Sequence, residues 1–170
     1  GLPGNVLLRQ SRATFTGYDA KARPLWTLRA DVVDAGADKM RVEARGNVEA
    51  TLLDSATGKR RAVVTAPNAV FSRATQTLQV GGKIVCRAPG NAATDLRVEA
   101  DTLIWSVGAK QILCAGAVHA VLPNNVGTAD GRDLTLQLTT REWRMQSVRV
   151  SVALKPGQGD APPVLANPLK

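Results

Sequence analysis

The chain is poor in most of the residues that site chemistry requires. It holds one histidine and two cysteines in 170 residues, and aromatics make up only 4%. The single His119 sits in VHAVL on the polar parity of an alternating segment; a general base needs an orienting partner, so a lone histidine reads as a surface or rim residue. Cys86 and Cys114 lack the C-x-x-C spacing of redox and zinc sites. Each shares parity with the apolar residues of its own segment, which fits either two buried thiols or a disulfide between neighbouring repeats. No glycine-rich phosphate loop follows a strand, and no His/Cys/Asp/Glu cluster has metal spacing, so no metal or cofactor is implied. Apolar runs are too short to span a bilayer, and no charged-then-apolar leader opens the chain. No window sustains helical periodicity with a cap, so little helix is expected.

Charge is unbalanced in one direction. Lys and Arg number 22 against 14 Asp and Glu, a net of +8. These basic residues are dispersed, and only Lys59-Arg60-Arg61 form a run, inside the turn-like SATGKRR (55–61). Nucleic-acid recognition calls for a basic patch interleaved with exposed aromatics, and none is visible. The charges read instead as solvated loops and strand faces.

What the chain has in abundance is alternation. Trp26, Leu28 and Ala30 share one parity against Thr27, Arg29 and Asp31; Leu96, Val98 and Ala100 do the same against Arg97, Glu99 and Asp101. Period two marks half-buried antiparallel strands. The pattern also repeats: an alanine in one strand is followed sixteen residues later by a glycine in the next, at Ala30/Gly46, Ala66/Gly82 and Ala100/Gly116. A worn fourth copy runs from VGTADGRDLTL (126–136) into WRMQSVRVSVAL (143–154). Repeats of this length signal stacked β units that bury their faces against one another. After Ala66 the apolar parity shifts to Ala69 and Phe71, and after Ala100 to Leu103 and Trp105. Such an odd step requires a bulge or corner that bends the sheet into a trough.

Turn signals punctuate the pattern often enough to predict roughly a dozen or more short strands in about four repeats. The predicted domain spans 15–154, between an N-terminal linker (1–14) and a flexible Pro/Gly-rich tail (155–170). Asp31, Glu99, Asp101 and Asp130 fall on the outward parity, where Arg29 and Arg97 are available as cross-strand partners.

The order of segments resembles the LptC family, periplasmic components of the lipopolysaccharide-export machine. GYDAKARPLWTLRAD (17–31) is similar to that family's opening segment. VVTAPNAVFSRATQTLQVGGKIVCRA (63–88) and LRVEADTLIWSVGAKQILCAGAVHAV (96–121) are similar to its repeats, and equally to those of LptA and the periplasmic domain of LptD. GTADGRDLTLQLTTREWRMQSVRVSV (127–152) resembles the closing segment. The resemblance implies an open, twisted antiparallel β-jellyroll (OstA-like) whose apolar lumen shields lipopolysaccharide acyl chains, without catalysis. It implies an inner-membrane LptB2FG-type transporter at one edge and an LptA-type bridge protein at the other. It also implies a periplasmic location, anchored to the inner membrane by an N-terminal helix that these residues do not include. The lumen residues expected from inward parity are Val42, Val48, Ala66, Phe71, Leu78, Ile84, Val98, Trp105, Ile112 and Val118. Two other readings compete: a soluble LptA-type bridging subunit, and a carbohydrate-active β-solenoid needing a cross-strand carboxylate pair in a groove.

Overall fold

The computed structural model describes residues 6–36, 40–88, 96–140 and 142–152, with side chains from Arg9 onward. The strands are β1 (Val6–Tyr18), β2 (Pro24–Gly36), β3 (Arg41–Leu53), β4 (Arg60–Ser72), β5 (Thr77–Ala88), β6 (Leu96–Ser106), β7 (Gln111–Val121), β8 (Gly127–Gln137) and β9 (Trp143–Val152). They form one sheet in simple sequence order, β1 to β9, with every neighbouring pair antiparallel. The only helical element among the described residues is a 3₁₀ turn at Pro123–Asn125, and no helix is long and apolar enough to cross a membrane.

Among the described residues nine strands of 10–13 residues stand where the turn signals predicted roughly a dozen or more shorter ones. The reason lies at the corners. A parity change ends no strand here, because a bulge carries the chain through it. On β3, four residue steps from Arg45 to Glu49 oppose three from Val32 to Arg29 on β2. On β5, four steps from Gly81 to Val85 oppose three from Asn68 to Thr65 on β4. The extra residue is absorbed by left-handed backbone at Gly46 (φ +79°) with Asn47 (+48°), at Gly82 (+87°) with Lys83 (+71°), and at Gly116 (+80°) on β7. The edge strands turn the same corner without glycine, at Arg12 (φ 53°) on β1 and Ser147 (52°) on β9. Even strands cross the line with a small residue, buried Ala30 and Ala100, half-buried Ala66, and Gly131.

This line of corners divides the sheet into two arms that share one core. Across the first arm runs a register row of small residues, Ala50, Val64, Cys86, Val98, Ala120 and Ala129. Across the second runs a bulkier row, Val42, Phe71, Leu78, Trp105, Ile112, Leu136 and Trp143. Trp26 of the first arm meets Phe71 of the second with ring centroids 4.7 Å apart and planes at 46°.

The predicted linker at 1–14 is replaced in part by β1, which starts at Val6. An edge strand needs only one partner and little apolar surface; buried Ala13 and half-buried Phe15 supply it. A charged clamp adds to this. Arg9 Nε and Nη2 donate to Asp34 Oδ1 and Oδ2 at 2.7 and 2.9 Å, and Arg45 Nη2 donates to Oδ2 at 2.9 Å. These bonds, Arg9's foremost, hold the Asp34 carboxyl below its usual pKa although the residue is buried. The predicted tail at 155–170 lies outside the described residues.

Candidate functional site: an apolar inner face

Two surfaces are candidates, the inner face and the outside of the bend. Of the residues expected to line a lumen, Val42, Val48, Leu78, Ile84, Val98, Trp105, Ile112 and Val118 are buried on the inner face. Phe71 is half-buried and packs against them, and Ala66 is half-buried at the β4 corner. Inward parity also collects Leu28, Leu52, Val64, Val80, Leu103 and Leu134, each at most 1% exposed, which the expected set omitted. The same alternation that selected the ten could have found them. The face is almost wholly hydrocarbon, so its contacts are non-directional, each large aliphatic contributing about 1.5–3 kcal/mol when buried.

The sulfur and nitrogen atoms within it are the exceptions. Cys86 and Cys114 are both free thiols, which decides between the two readings of the cysteines. Burial pushes the Cys114 thiol up to about 12. It raises Cys86 further, with a smaller contribution from Cys114 itself. The indole nitrogens of Trp26 and Trp105 are buried without a hydrogen-bond partner among the described residues. Trp143, by contrast, is half-buried at the rim of the core on β9.

The outer face carries the charge. Arg29 Nη2 meets Glu49 Oε2 across strands at 3.2 Å, and Arg97 Nη2 meets Glu99 Oε1 along its own strand at 3.1 Å. Asp31 departs from the expected arginine pairing, accepting instead from Asn47 Nδ2 at 2.9 Å. Asp130 does likewise, lying 2.7 Å from Nδ1 of its register partner His119, which is 40% exposed as the parity predicted. Open hollows of about 500 and 540 Å³ run along the outside of the bend and share Lys83 and Val85. Among the described residues no three of His, Cys, Asp and Glu gather as a metal centre.

Among the described residues, the lateral strands β1 and β9 each have a neighbour on one side only. Their free backbone groups form a template for another strand. The universal antiparallel pairing also removes the β-solenoid architecture, which one competing reading required.

No protein-family model and no curated protein matches the chain. Among solved structures it is similar to LptH from Pseudomonas aeruginosa, described as the LptA homologous periplasmic component of the conserved lipopolysaccharide transport device. The TM-score is 0.58 at 10% sequence identity, covering 77% of this chain and 95% of that one. At that identity the likeness is one of architecture. The chain is all-β, its described strands forming one open antiparallel sheet with the β-jellyroll architecture of that structure.

Proposed function

We propose that this chain is a periplasmic module of lipopolysaccharide export. It shields acyl chains against its inner face and passes them from an inner-membrane ABC transporter toward the next bridge subunit. The observation that carries the reading is the combination of one continuous apolar inner face, crossing all nine described strands, with two edges that have no partner strand among the described residues. Acyl chains ask only for non-directional apolar contact, which rows of Val, Leu, Ile and Ala supply. Edges that would otherwise promote aggregation become joints when partners add a strand. The resemblance of segment order to LptC and the shared architecture with LptH point the same way.

In this reading Val42, Val48, Ala66, Phe71, Leu78, Ile84, Val98, Trp105, Ile112 and Val118 contact the chains, and no residue is catalytic. A photo-crosslinking residue at Phe71 or Ile84 should capture lipopolysaccharide, while the same residue at exposed Gln79 on the outer face should not. Capture at Gln79 with none at Phe71 or Ile84 would sink the assignment. Membrane anchorage beside the transporter, as in LptC, is the first form of the proposal. A soluble, self-associating bridge is the second, favoured by the LptA homology of the structural neighbour. Concentration-dependent growth of long assemblies in light scattering selects the bridge, and a fixed monomer that binds an LptA-type partner selects the anchored form.

A further inference from the structure

Two register rows cross the outer face from β1 to β9, and arginine closes three of their four ends. On the second arm the row starts at Arg9, passes Asp34 and Glu43, and ends at Arg144. On the first arm it starts at Thr14, passes the Arg29–Glu49 pair and then Glu99, His119 and Asp130, and ends at Arg149. The carboxylates of both rows therefore lie inside the sheet. Neither β1 nor β9 contains Asp or Glu, and exposed Arg12 adds positive charge to β1. The sheet does not neutralise β9 from within. Thr135 stands beside Arg144, and Asp130 beside Arg149 is engaged by His119 at 2.7 Å. At the other edge Asp34 faces two arginines, Arg9 and Arg45, so that cluster keeps one positive charge.

A second copy added head to tail, with its corner aligned, sets its Arg12 beside Ser147 of the first. Arg9 then falls beside Arg144, each three residues before its corner. Like charges side by side on neighbouring strands repel. Any other pairing among copies of β1 and β9 likewise brings no carboxylate to an edge arginine. We propose that the β9 edge takes a strand of a different protein, one carrying carboxylates on its outer face level with Arg144 and Arg149, and refuses a second copy of this chain. The inference rests on the edge-joint part of the proposed function and adds to it a charge rule for the partner. That rule disfavours the self-associating form.

The test uses the ¹⁵N-labelled full chain at low salt with three synthetic ten-residue probes. They are alternating Val and Glu, alternating Val and Lys, and the acidic peptide with proline at two of its valines. Proline blocks strand addition, so the third separates pairing from diffuse attraction to the net charge of +8. The acidic peptide should move the amide signals of β9 and bind about 3- to 10-fold tighter than the lysine peptide, the range of two exposed cross-strand ion pairs. The proline copy should lose the β9 shifts, and the preference should fade as salt rises. Arg144→Gln with Arg149→Gln should abolish the preference, and Arg144→Glu with Arg149→Glu should reverse it. The chain alone should sediment as one monomeric species at low salt. Equal binding of the acidic and lysine peptides on β9, or long assemblies of the chain alone at low salt, overturns the inference and leaves strand addition standing. An acidic peptide that binds no better than its proline copy, with no shift on either edge, overturns the edge joints as well. Acyl carriage is judged separately, by the crosslinks at Phe71 and Ile84.

Discussion

The line of corners can be tested by adding one carbon at a time. Four glycines form a graded series under substitution by alanine. Gly108, in the β6–β7 turn, has ordinary backbone and no heavy atom within 4 Å of a new Cβ. Gly116 also has open space but sits at φ +80°. Gly82, at φ +87°, would bring its Cβ to 3.1 Å from Pro67 Cγ. Gly46, at φ +79°, would bring it to 2.7 Å from Asp31 Oδ2. Gly108→Ala should therefore be neutral or stabilise by up to about 1 kcal/mol, through the unfolded chain. Gly116→Ala isolates the left-handed backbone and should cost about 1–2 kcal/mol. Gly82→Ala should cost the same or a little more, since the proline ring must yield by tenths of an ångström. Gly46→Ala should be the worst, because Asp31 must swing away and release Asn47. Urea unfolding with a shared slope reads the order directly. Gly116→Asn should recover part of the loss, as Asn tolerates this region and Asn47 already occupies it on β3. If Gly116→Ala proves as harmless as Gly108→Ala, the corners do not depend on left-handed backbone, and the account of the bend is wrong.

Three further predictions are independent of the corners. A Cβ at Gly17 would overlap the Trp26 ring, so Gly17→Ala should destabilise by about 1–3 kcal/mol and shift tryptophan emission as the indole is expelled. The carboxyl of Asp54 is depressed from 3.8 to about 2, chiefly by Arg61 and then by the turn amides of Thr57 and Ala56. A lowered folded pKa gives stability that is complete above about pH 5 and is lost as pH falls toward 2. Asp54→Asn should therefore remove about 1 kcal/mol at neutral pH, after allowing for solvent screening, and flatten the acid limb of the stability curve. Finally, Cys86 and Cys114 should resist a thiol reagent at pH 8 in the folded protein and react together on unfolding; rapid labelling of the native chain would contradict their burial.

Alternation and the alanine–glycine spacing made the bend legible, since Gly46, Gly82 and Gly116 all proved to be left-handed bulge residues. The fourth copy keeps the spacing of sixteen as Gly131 and Ser147, with Ser147 at φ 52°. The copy was recognised as worn, but its anchor pair was not, because glycine stands on the strand that elsewhere holds alanine, and serine in the position that elsewhere holds glycine. Strand number was misjudged for a related reason. Arg12 and Lys83 adopt positive φ inside strands, and nothing in those residue types announces a bulge, while Asn47 and Asp133 suit left-handed backbone but are as common in turns. Asp34 was equally opaque. It lies between inward Val33 and Ala35, and its partners Arg9 and Arg45 are 25 and 11 residues away. Only the register of β1 and β3 on β2 brings them together.

The inner face also constrains how a carrier of acyl chains would work. Its central residues, Leu28, Val64, Leu78 and Leu103, are fully buried, so a chain reaching them must displace contacts between the arms. Separation at the corners would strain left-handed backbone on β3, β5 and β7 at once. Loosening at the edges strains less. The rim residues Phe15 and Trp143 are already half-buried, on β1 and β9 respectively. Among the described residues each edge strand is held on one side only. The β1 edge has the Asp34 clamp as well, with Arg9 and Arg45 converging on one carboxylate. On β9, Arg144 and Arg149 are exposed, and no ion pair anchors them among the described residues. The physical asymmetry therefore makes β9 the edge that yields first. Amide exchange on β9 should be faster than on β1, and lipid binding should speed it further.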